Sequence, residues 1–267
     1  MAAAQSRRAV VSAVTAAALT DPGLVRKSNE DAVAMVELAS GARWTDTPVA
    51  WSTNGVGVLL EVSDGMGGAK AGEVASALST EGVVAGMLDE AQRGRPDGES
   101  LRAVIEQVSR GVHAASKVPS RRGMGATLTA ALIQQGTAYV AQIGDSRAYL
   151  LRAGRIGQVT HDQSYVQMLV DAGVMTPEEA ERSPRKNIIL QVMGQPEVKV
   201  ALGRIELVPG DRLLLCSDGL TNVVDDATIL EVASAPTEVG AACAELVRRT
   251  REGGAPDNVT VLLAELG

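Results

Sequence analysis

Apolar residues recur along this chain with two distinct periods. Leu101, Val104, Ile105, Val108, Val112 and Ala115 are spaced three, four or seven residues apart, as on one face of an α-helix. Val74, Leu78, Ala85 and Leu88 mark the stripe of an earlier helix over 72–88. Val239, Cys243, Leu246 and Val247 mark a later one over 238–250. Around these lie short runs rich in Val, Leu and Ile, bounded by turn residues. They predict strands at 10–19, 56–62, 126–134, 137–143, 147–151, 156–160, 200–208, 212–216 and 258–265. Turns at Gln135-Gly136, Gly144-Asp145 and Gly154-Arg155 join four of them into an antiparallel meander. Helices interrupting runs of antiparallel strands imply an α+β fold, with sheets and helices in separate layers.

Two stretches break the pattern. Residues 92–98 hold Gly94, Pro96 and Gly98. They read as a loop between helices and not as a domain boundary, so the chain is expected to form one domain over 1–267. Residues 164–194 begin with a short helical pattern at Val166, Leu169 and Val170. They continue through Thr176-Pro177-Glu178-Glu179, a capping box with proline at the first helical position. A small helical insertion between two strands is expected to act as a flap over a site.

Composition narrows the function. The 267 residues are 45% hydrophobic and 21% charged, with no Phe, two Trp and three Tyr. The core must therefore be aliphatic. The net charge of −7 and the scarcity of aromatic side chains argue against a nucleic-acid partner, which demands cations and stacking platforms. Cys216 and Cys243 are too few for a disulfide framework and read as buried free thiols. No apolar stretch approaches the roughly 20 residues of a membrane span. Arg7-Arg8 before the run 9–19 resembles a short signal peptide, but that run is mostly Ala with interleaved Ser and Thr and leads into the turn Thr20-Asp21-Pro22-Gly23. It is read instead as the first strand, and the protein as cytoplasmic and monomeric.

The informative feature is where the carboxylates stand. Two hydrophobic strands each end in Ser-Asp-Gly, at Ser63-Asp64-Gly65 and Ser217-Asp218-Gly219. One such ending is simply a favourable turn; two are less easily dismissed. Asp257 precedes the last strand, Glu30-Asp31 follow the first turn, and Asp145 lies between two strands. If these acids converge, hard divalent cations would relieve their repulsion. Oxygen ligands point to Mg2+ or Mn2+, and the two separated histidines, His113 and His161, argue against zinc. A carboxylate cluster shared by two such ions activates water and hydrolyses phosphoesters. Arg26, four residues before Glu30, is the candidate for gripping a phosphate.

In these pieces the chain resembles the PPM family of metal-dependent Ser/Thr phosphatases (protein phosphatase 2C type), in its bacterial branch. The resemblance is carried by residues 23–31 with Arg26, Asn29, Glu30 and Asp31, by Val62-Ser63-Asp64-Gly65-Met66-Gly67-Gly68, and by Met124-Gly125-Ala126-Thr127. Gly144-Asp145-Ser146-Arg147, Ser217-Asp218-Gly219-Leu220 and Asp257-Asn258-Val259-Thr260 complete it. It implies a central β-sandwich of two antiparallel sheets flanked by helices on both outer faces, with 164–194 as the flap. It further implies two Mn2+ or Mg2+ ions, with Asp64 bridging both and the Gly65 carbonyl completing one site. Asp218 and Asp257 would complete the other, and Glu30 and Asp31 would hold waters or ligate directly. Asp145 with Asp218 would hold a third, weaker ion, and Arg26 would bind the substrate phosphate. The implied substrates are phosphorylated proteins, including a Ser/Thr kinase or its targets.

Two departures are visible. Met66 stands where eukaryotic members carry a proposed general-acid His, so metal-bound water would replace that acid. The family's Thr-x-Asp-His-Ser segment reads Thr160-His161-Asp162-Gln163-Ser164, so no role is assigned to His161. The competing readings are a catalytically silent interaction module on the same fold and a nucleotide binder using residues 65–72. That glycine-rich stretch lacks the Gly-Lys-Ser/Thr ending of a phosphate-binding loop.

Overall fold

A computed structural model describes residues 11–44, 48–53, 55–67, 71–94 and 96–267. Arg7, Arg8 and Val10 of the N-terminal run, and Gly68 to Lys70 of the glycine-rich stretch, lie outside the described residues. Two antiparallel sheets stack face to face. The first runs, in spatial order, Arg155–Gln158 (β10), Arg147–Arg152 (β9), Arg212–Cys216 (β12), Val259–Leu266 (β13), Ala13–Asp21 (β1) and Val49–Ser52 (β4). The second runs Ala201–Glu206 (β11), Thr137–Ile143 (β8), Leu128–Gln134 (β7), Val58–Met66 (β5), Asp31–Glu37 (β2) and Ala42–Arg43 (β3). Gly125–Ala126 (β6) pairs with the end of β5.

The aliphatic core falls into three layers. Between the sheets, Val14, Ala16, Leu262 and Ala264 of one meet Val58, Leu60, Val62 and Ile133 of the other. On the outer face of the second sheet lie Ala71–Arg93 (α1) and Gly98–Ala115 (α2), the latter capped by Asp97. On the outer face of the first lie Asp226–Ala233 (α6) and Val239–Glu252 (α7). The predicted sandwich with helices on both faces is what the chain builds. Cys216 and Cys243 are free and buried, as expected.

The stripe expected on α1 is corrected. Val74 and Leu88 are half-buried, while Leu78 and Ala85 face outward. The buried face is Ala75, Ser76, Ser79, Thr80, Val83 and Met87. Small residues let the helix lie close to the sheet and to α2. Gly82 and Gly86 bring it against Val108 and Val104 so tightly that added Cβ atoms would come within 2.8 and 2.6 Å of their methyl groups. On α2, by contrast, Leu101, Val104, Ile105 and Val112 are buried as the periodicity requires.

One residue of β5 breaks the apolar rule. Glu61 shares the face of Leu59, toward α1, because strand side chains alternate. It is fully buried between Ala34 and Ala130 of the neighbouring strands, and neither carboxyl oxygen has a hydrogen-bond partner. Burial, then the nearby Glu81, pushes its carboxyl well above the ordinary value of 4.5.

Candidate active site

The acids assemble where strands of both sheets end at one edge of the sandwich. Asp31 opens β2 and stands directly opposite Asp64 on β5. From the other sheet, β12 hands over at Ser217 to the short helix Asp218–Thr221 (α5), and Asp257-Asn258 lead into β13. Asp145 occupies the turn between β8 and β9. Hydroxyls tie the halves together: Ser217 Oγ and Thr260 Oγ1 donate to Asp31 Oδ2 at 2.8 and 2.7 Å. Asp64 is held by its backbone, whose N–H donates to Thr127 Oγ1 at 2.9 Å and whose carbonyl accepts from Thr127 N–H at 2.8 Å. In both Ser-Asp-Gly segments the serine hydroxyl is consumed internally, Ser63 Oγ donating to the Thr127 carbonyl at 2.6 Å.

The glycines of those segments serve close approach and not a turn. Neither Gly65 nor Gly219 has a positive φ; Gly65 lies inside β5 and Gly219 inside α5. A Cβ on Gly65 would overlap the Gly72 carbonyl and come within 2.5 Å of the Glu30 carbonyl, and one on Gly219 would overlap the Asn258 carbonyl. Backbone crosses backbone at each acid. Gly219→Ala is therefore expected to cost about 1–3 kcal/mol of stability and to weaken divalent-cation binding about tenfold or more. Thermal melts with and without Mn2+ would check this. Gly94→Ala, with open space around it, should change neither.

Burial makes these carboxyls reluctant to ionise. The Asp64 carboxyl is pushed well above its ordinary 3.8 by burial, then by Asp31, Asp218, Asp145 and Asp257. Asp31 is pushed up to about 7, chiefly by burial and against the opposing hydrogen bonds of Thr260 and Ser217. Asp145 is pushed up to about 7 by burial and by Asp218. Asp218 is raised by burial and by Asp257. Asp31, Asp145 and Asp218 each keep one buried oxygen, Oδ1, without a hydrogen-bond partner. Buried oxygens without donors beside mutually repelling carboxyls are a donor set that hard cations fit. Among the described residues no three acids are drawn into a finished ion cage.

The loop between β1 and β2 supplies the remaining groups. Asn258 stitches it down, Nδ2 donating to the Pro22 and Ser28 carbonyls at 2.9 Å each and Oδ1 accepting from Glu30 N–H at 2.8 Å. The Glu30 carbonyl accepts from Gly65 N–H at 3.1 Å and Ser76 Oγ at 2.6 Å. The Glu30 carboxylate lies against Gly72 at the start of α1. Arg26 Nη2 donates to Asp257 Oδ2 at 2.7 Å, a bond that holds the guanidinium still more firmly protonated. All the acids anticipated from the sequence, with Gly65 and Arg26, thus lie at this edge.

The Asp145 turn is clamped from the flap side. Gln142 Nε2 donates to the Gly144 and Ser146 carbonyls at 3.1 Å each, and Gln163 exchanges two bonds with Gly144, of 2.8 and 2.9 Å. Gln163 is therefore a structural clamp. His161 turns away to Asp171 on Tyr165–Asp171 (α3) at 2.8 Å. Thr176 caps Pro177–Glu181 (α4) through the expected capping box. His113, expected on a helix surface, is half-buried, its Nδ1 2.9 Å from the Gly194 carbonyl. Between the flap and α5–α6 opens a cleft of about 810 Å3 that reaches Asp145 and Asp218. Sequence reasoning gave no role to Thr127, Ser217, Asn258 or Thr260. Their only signal was membership of the quoted motifs, which hold an acid for Ser217, Asn258 and Thr260 but not for Thr127.

A family model described as protein phosphatase 2C matches residues 37–255. The chain is 41% identical over 253 residues to the serine/threonine protein phosphatase PstP of Mycobacterium tuberculosis, covering 94% of this chain and 44% of that protein. It thus spans less than half the length of that relative. It is 34% identical over 250 residues to the protein phosphatase PhpP of Streptococcus pneumoniae, covering 93% of this chain and 96% of that one. Among solved structures, the catalytic domain of PstP in complex with two manganese ions superimposes with a TM-score of 0.77 at 38% identity. That match covers 95% of this chain and 99% of that one.

Proposed function

The chain belongs to the protein phosphatase 2C family, and from that premise we propose that it hydrolyses phosphoserine and phosphothreonine in proteins, opposing a Ser/Thr kinase in the cytoplasm. Residues 1–267 act as one phosphatase unit, with 164–194 as its flap. The observation that carries the reading is the convergence of Asp31, Asp64, Asp145 and Asp218 with three donor-less buried oxygens at one strand edge. Asp64 would be shared by two Mn2+ or Mg2+ ions, with Gly65, Glu30, Asp31, Asp218 and Asp257 completing their surroundings. Asp145 and Asp218 would hold a third, weaker ion. Such a pair lowers the pKa of water to give a nucleophile and neutralises charge on the phosphoryl oxygens.

The chain's own residues do the rest. Asp31, steadied by Ser217 and Thr260, fixes the distance between the two sheets' acids. Arg26 is placed beside Asp257 to take a phosphate oxygen. Neither Cys216 nor His161 is set to form a phosphoenzyme: the buried Cys216 thiol is pushed up to about 12 by burial, and His161 is engaged with Asp171. Met66 has no proton to donate to a leaving alkoxide. Among the described residues no helix is long and apolar enough to cross a membrane. A silent module would be expected to have lost some of these acids; here every one is present.

The test is turnover of an aryl phosphate and a phosphothreonine peptide with Mn2+, abolished by a chelator. Absence of turnover on both would refute the reading. Arg26→Ala is expected to raise KM for the phosphopeptide about tenfold or more, from the loss of a charged hydrogen bond of about 1.5–3 kcal/mol.

A further inference from the structure

Four hydroxyl side chains, Ser63, Thr127, Thr129 and Ser146, are wholly buried close to the acids. A hydroxyl taken out of water is costly unless it is bonded, so each must find a partner inside the protein. Ser63 Oγ donates to the Thr127 carbonyl at 2.6 Å. Thr129 Oγ1 donates to the Ser146 carbonyl at 2.7 Å. The hydroxyls of Thr127 and Ser146 share a hydrogen bond of 2.7 Å. Two of the four adjoin acids along the chain, for Ser63 precedes Asp64 and Ser146 follows Asp145. Thr127 is where both serines meet.

Thr127 lies between β6 and β7 and reaches two places at once. It grips Asp64 by both backbone groups, its Oγ1 accepting from Asp64 N–H at 2.9 Å and its own N–H donating to the Asp64 carbonyl at 2.8 Å. The same Oγ1 meets Ser146 at the end of the Asp145 turn. The Thr127 methyl packs at the start of that turn, where a Cβ on Gly144 would come within 2.7 Å of it. Gln142 holds the turn independently, through the Gly144 and Ser146 carbonyls. One hydroxyl thus links the strand that carries Asp64 to the turn that carries Asp145. Groups one bond removed from ligating side chains orient those side chains.

We propose that Thr127 is a positioning residue that couples the ion pair at Asp64 to the weaker ion at Asp145, with Ser146 as the second half of the link. The ions themselves rest on the phosphatase reading; the division of labour between the two hydroxyls goes beyond it. Removing the Thr127 hydroxyl leaves Asp64 N–H and Ser146 Oγ without this partner together. Removing the Ser146 hydroxyl releases only the Asp145 turn, because the bond from Asp64 N–H to Thr127 survives.

The experiment is a calorimetric titration of the ion-free protein with Mn2+, in which tight and weak uptake are resolved. Thr127→Val, which keeps the shape and loses the hydroxyl, should weaken both about tenfold. Ser146→Ala should weaken the weak uptake by about the same factor and leave the tight uptake at the parent's value. Thr127→Ser should bind Mn2+ like the parent, although its lost methyl lowers the melting temperature measured with chelator. Affinity and stability then part company, which a purely structural role for Thr127 would not produce. The proposal is overturned if Thr127→Val binds like the parent, if Ser146→Ala weakens both uptakes equally, or if Thr127→Ser binds as poorly as the valine variant. Aryl phosphate turnover by the parent is scored separately. A parent that takes up Mn2+ without turnover fails the phosphatase reading while the affinities still decide this one; a parent that takes up no Mn2+ overturns both.

Discussion

Asp64→Asn should reduce Mn2+-dependent phosphatase activity by about 1,000-fold or more, and at the same time make the ion-free protein melt at a higher temperature. The two effects have one cause. Asp64 is buried and surrounded by Asp31, Asp218, Asp145 and Asp257, and burial followed by their charges pushes its carboxyl upward. That is a poor place for negative charge unless a cation accompanies it. An amide of the same shape removes the charge and with it the repulsion, so stability measured with chelator should rise by about 1 kcal/mol, or roughly 2–4 °C for a chain of this size. The gain from added ion should vanish. An ion at 100 times its dissociation constant stabilises the parent by about 2.7 kcal/mol, and a variant that binds it weakly shows little of this. Scanning calorimetry with Mn2+ and with chelator, beside aryl phosphate turnover, reads both. A variant that keeps its activity and its Mn2+-induced shift would remove Asp64 from the centre of the site.

Glu61 predicts a second large effect, on stability alone. Its folded-state carboxyl is raised well above 4.5 by burial, so the folded chain keeps a proton that the unfolded chain releases. The sign follows from linkage: stability is at its full value below about pH 4.5 and declines as pH rises toward the folded-state value. The decline is about 1.4 kcal/mol for each pH unit crossed. Glu61→Gln should flatten that slope. Glu61→Leu should flatten it and also stabilise the protein by several kcal/mol at pH 8, since it removes two buried oxygens that have no partner. Urea melts of parent and variants from pH 5 to 8, all with saturating Mn2+, isolate Glu61 from the acids of the site. Parallel slopes for parent and Gln variant would show that this carboxyl is not the proton holder.

Much of the scaffold was legible where local signals agree. Thr137–Ile143 and Arg212–Cys216 match the predicted strands residue for residue, because turns and continuous apolar runs bound them. The strand expected over 10–19 is found at Ala13–Asp21. Asp31–Glu37 was not anticipated: its sequence DAVAMVE buries only Met35 and Val36 fully and shows weak alternation. Asp226–Ala233 is eight residues long, too short for a helical period to repeat convincingly. On α1 Leu78 misled, because close packing placed Ala75, Ser76, Ser79 and Thr80 beside Val83 and Met87 on the buried face.

The acids of the site stood out for a chemical reason. Carboxylates at the ends of apolar strands are conspicuous, and their glycine neighbours are needed where two backbones touch. The groups that hold them did not stand out. Thr260 and Asp31 are 229 positions apart, and nothing along the chain announces that a threonine hydroxyl will meet an aspartate. Thr127 and Asn258 likewise act through hydrogen bonds to distant residues that only the folded arrangement creates.

The pairing of β1 with β13, Val14 opposite Leu266 through Asp21 opposite Val259, bears on the order of folding. Asp31 and the threonine that anchors it stand 229 positions apart. Contacts so remote along the backbone carry a large loop-closure cost and are slow to form. After dilution from denaturant, helical signal is therefore expected to recover before the carboxyl cluster is assembled.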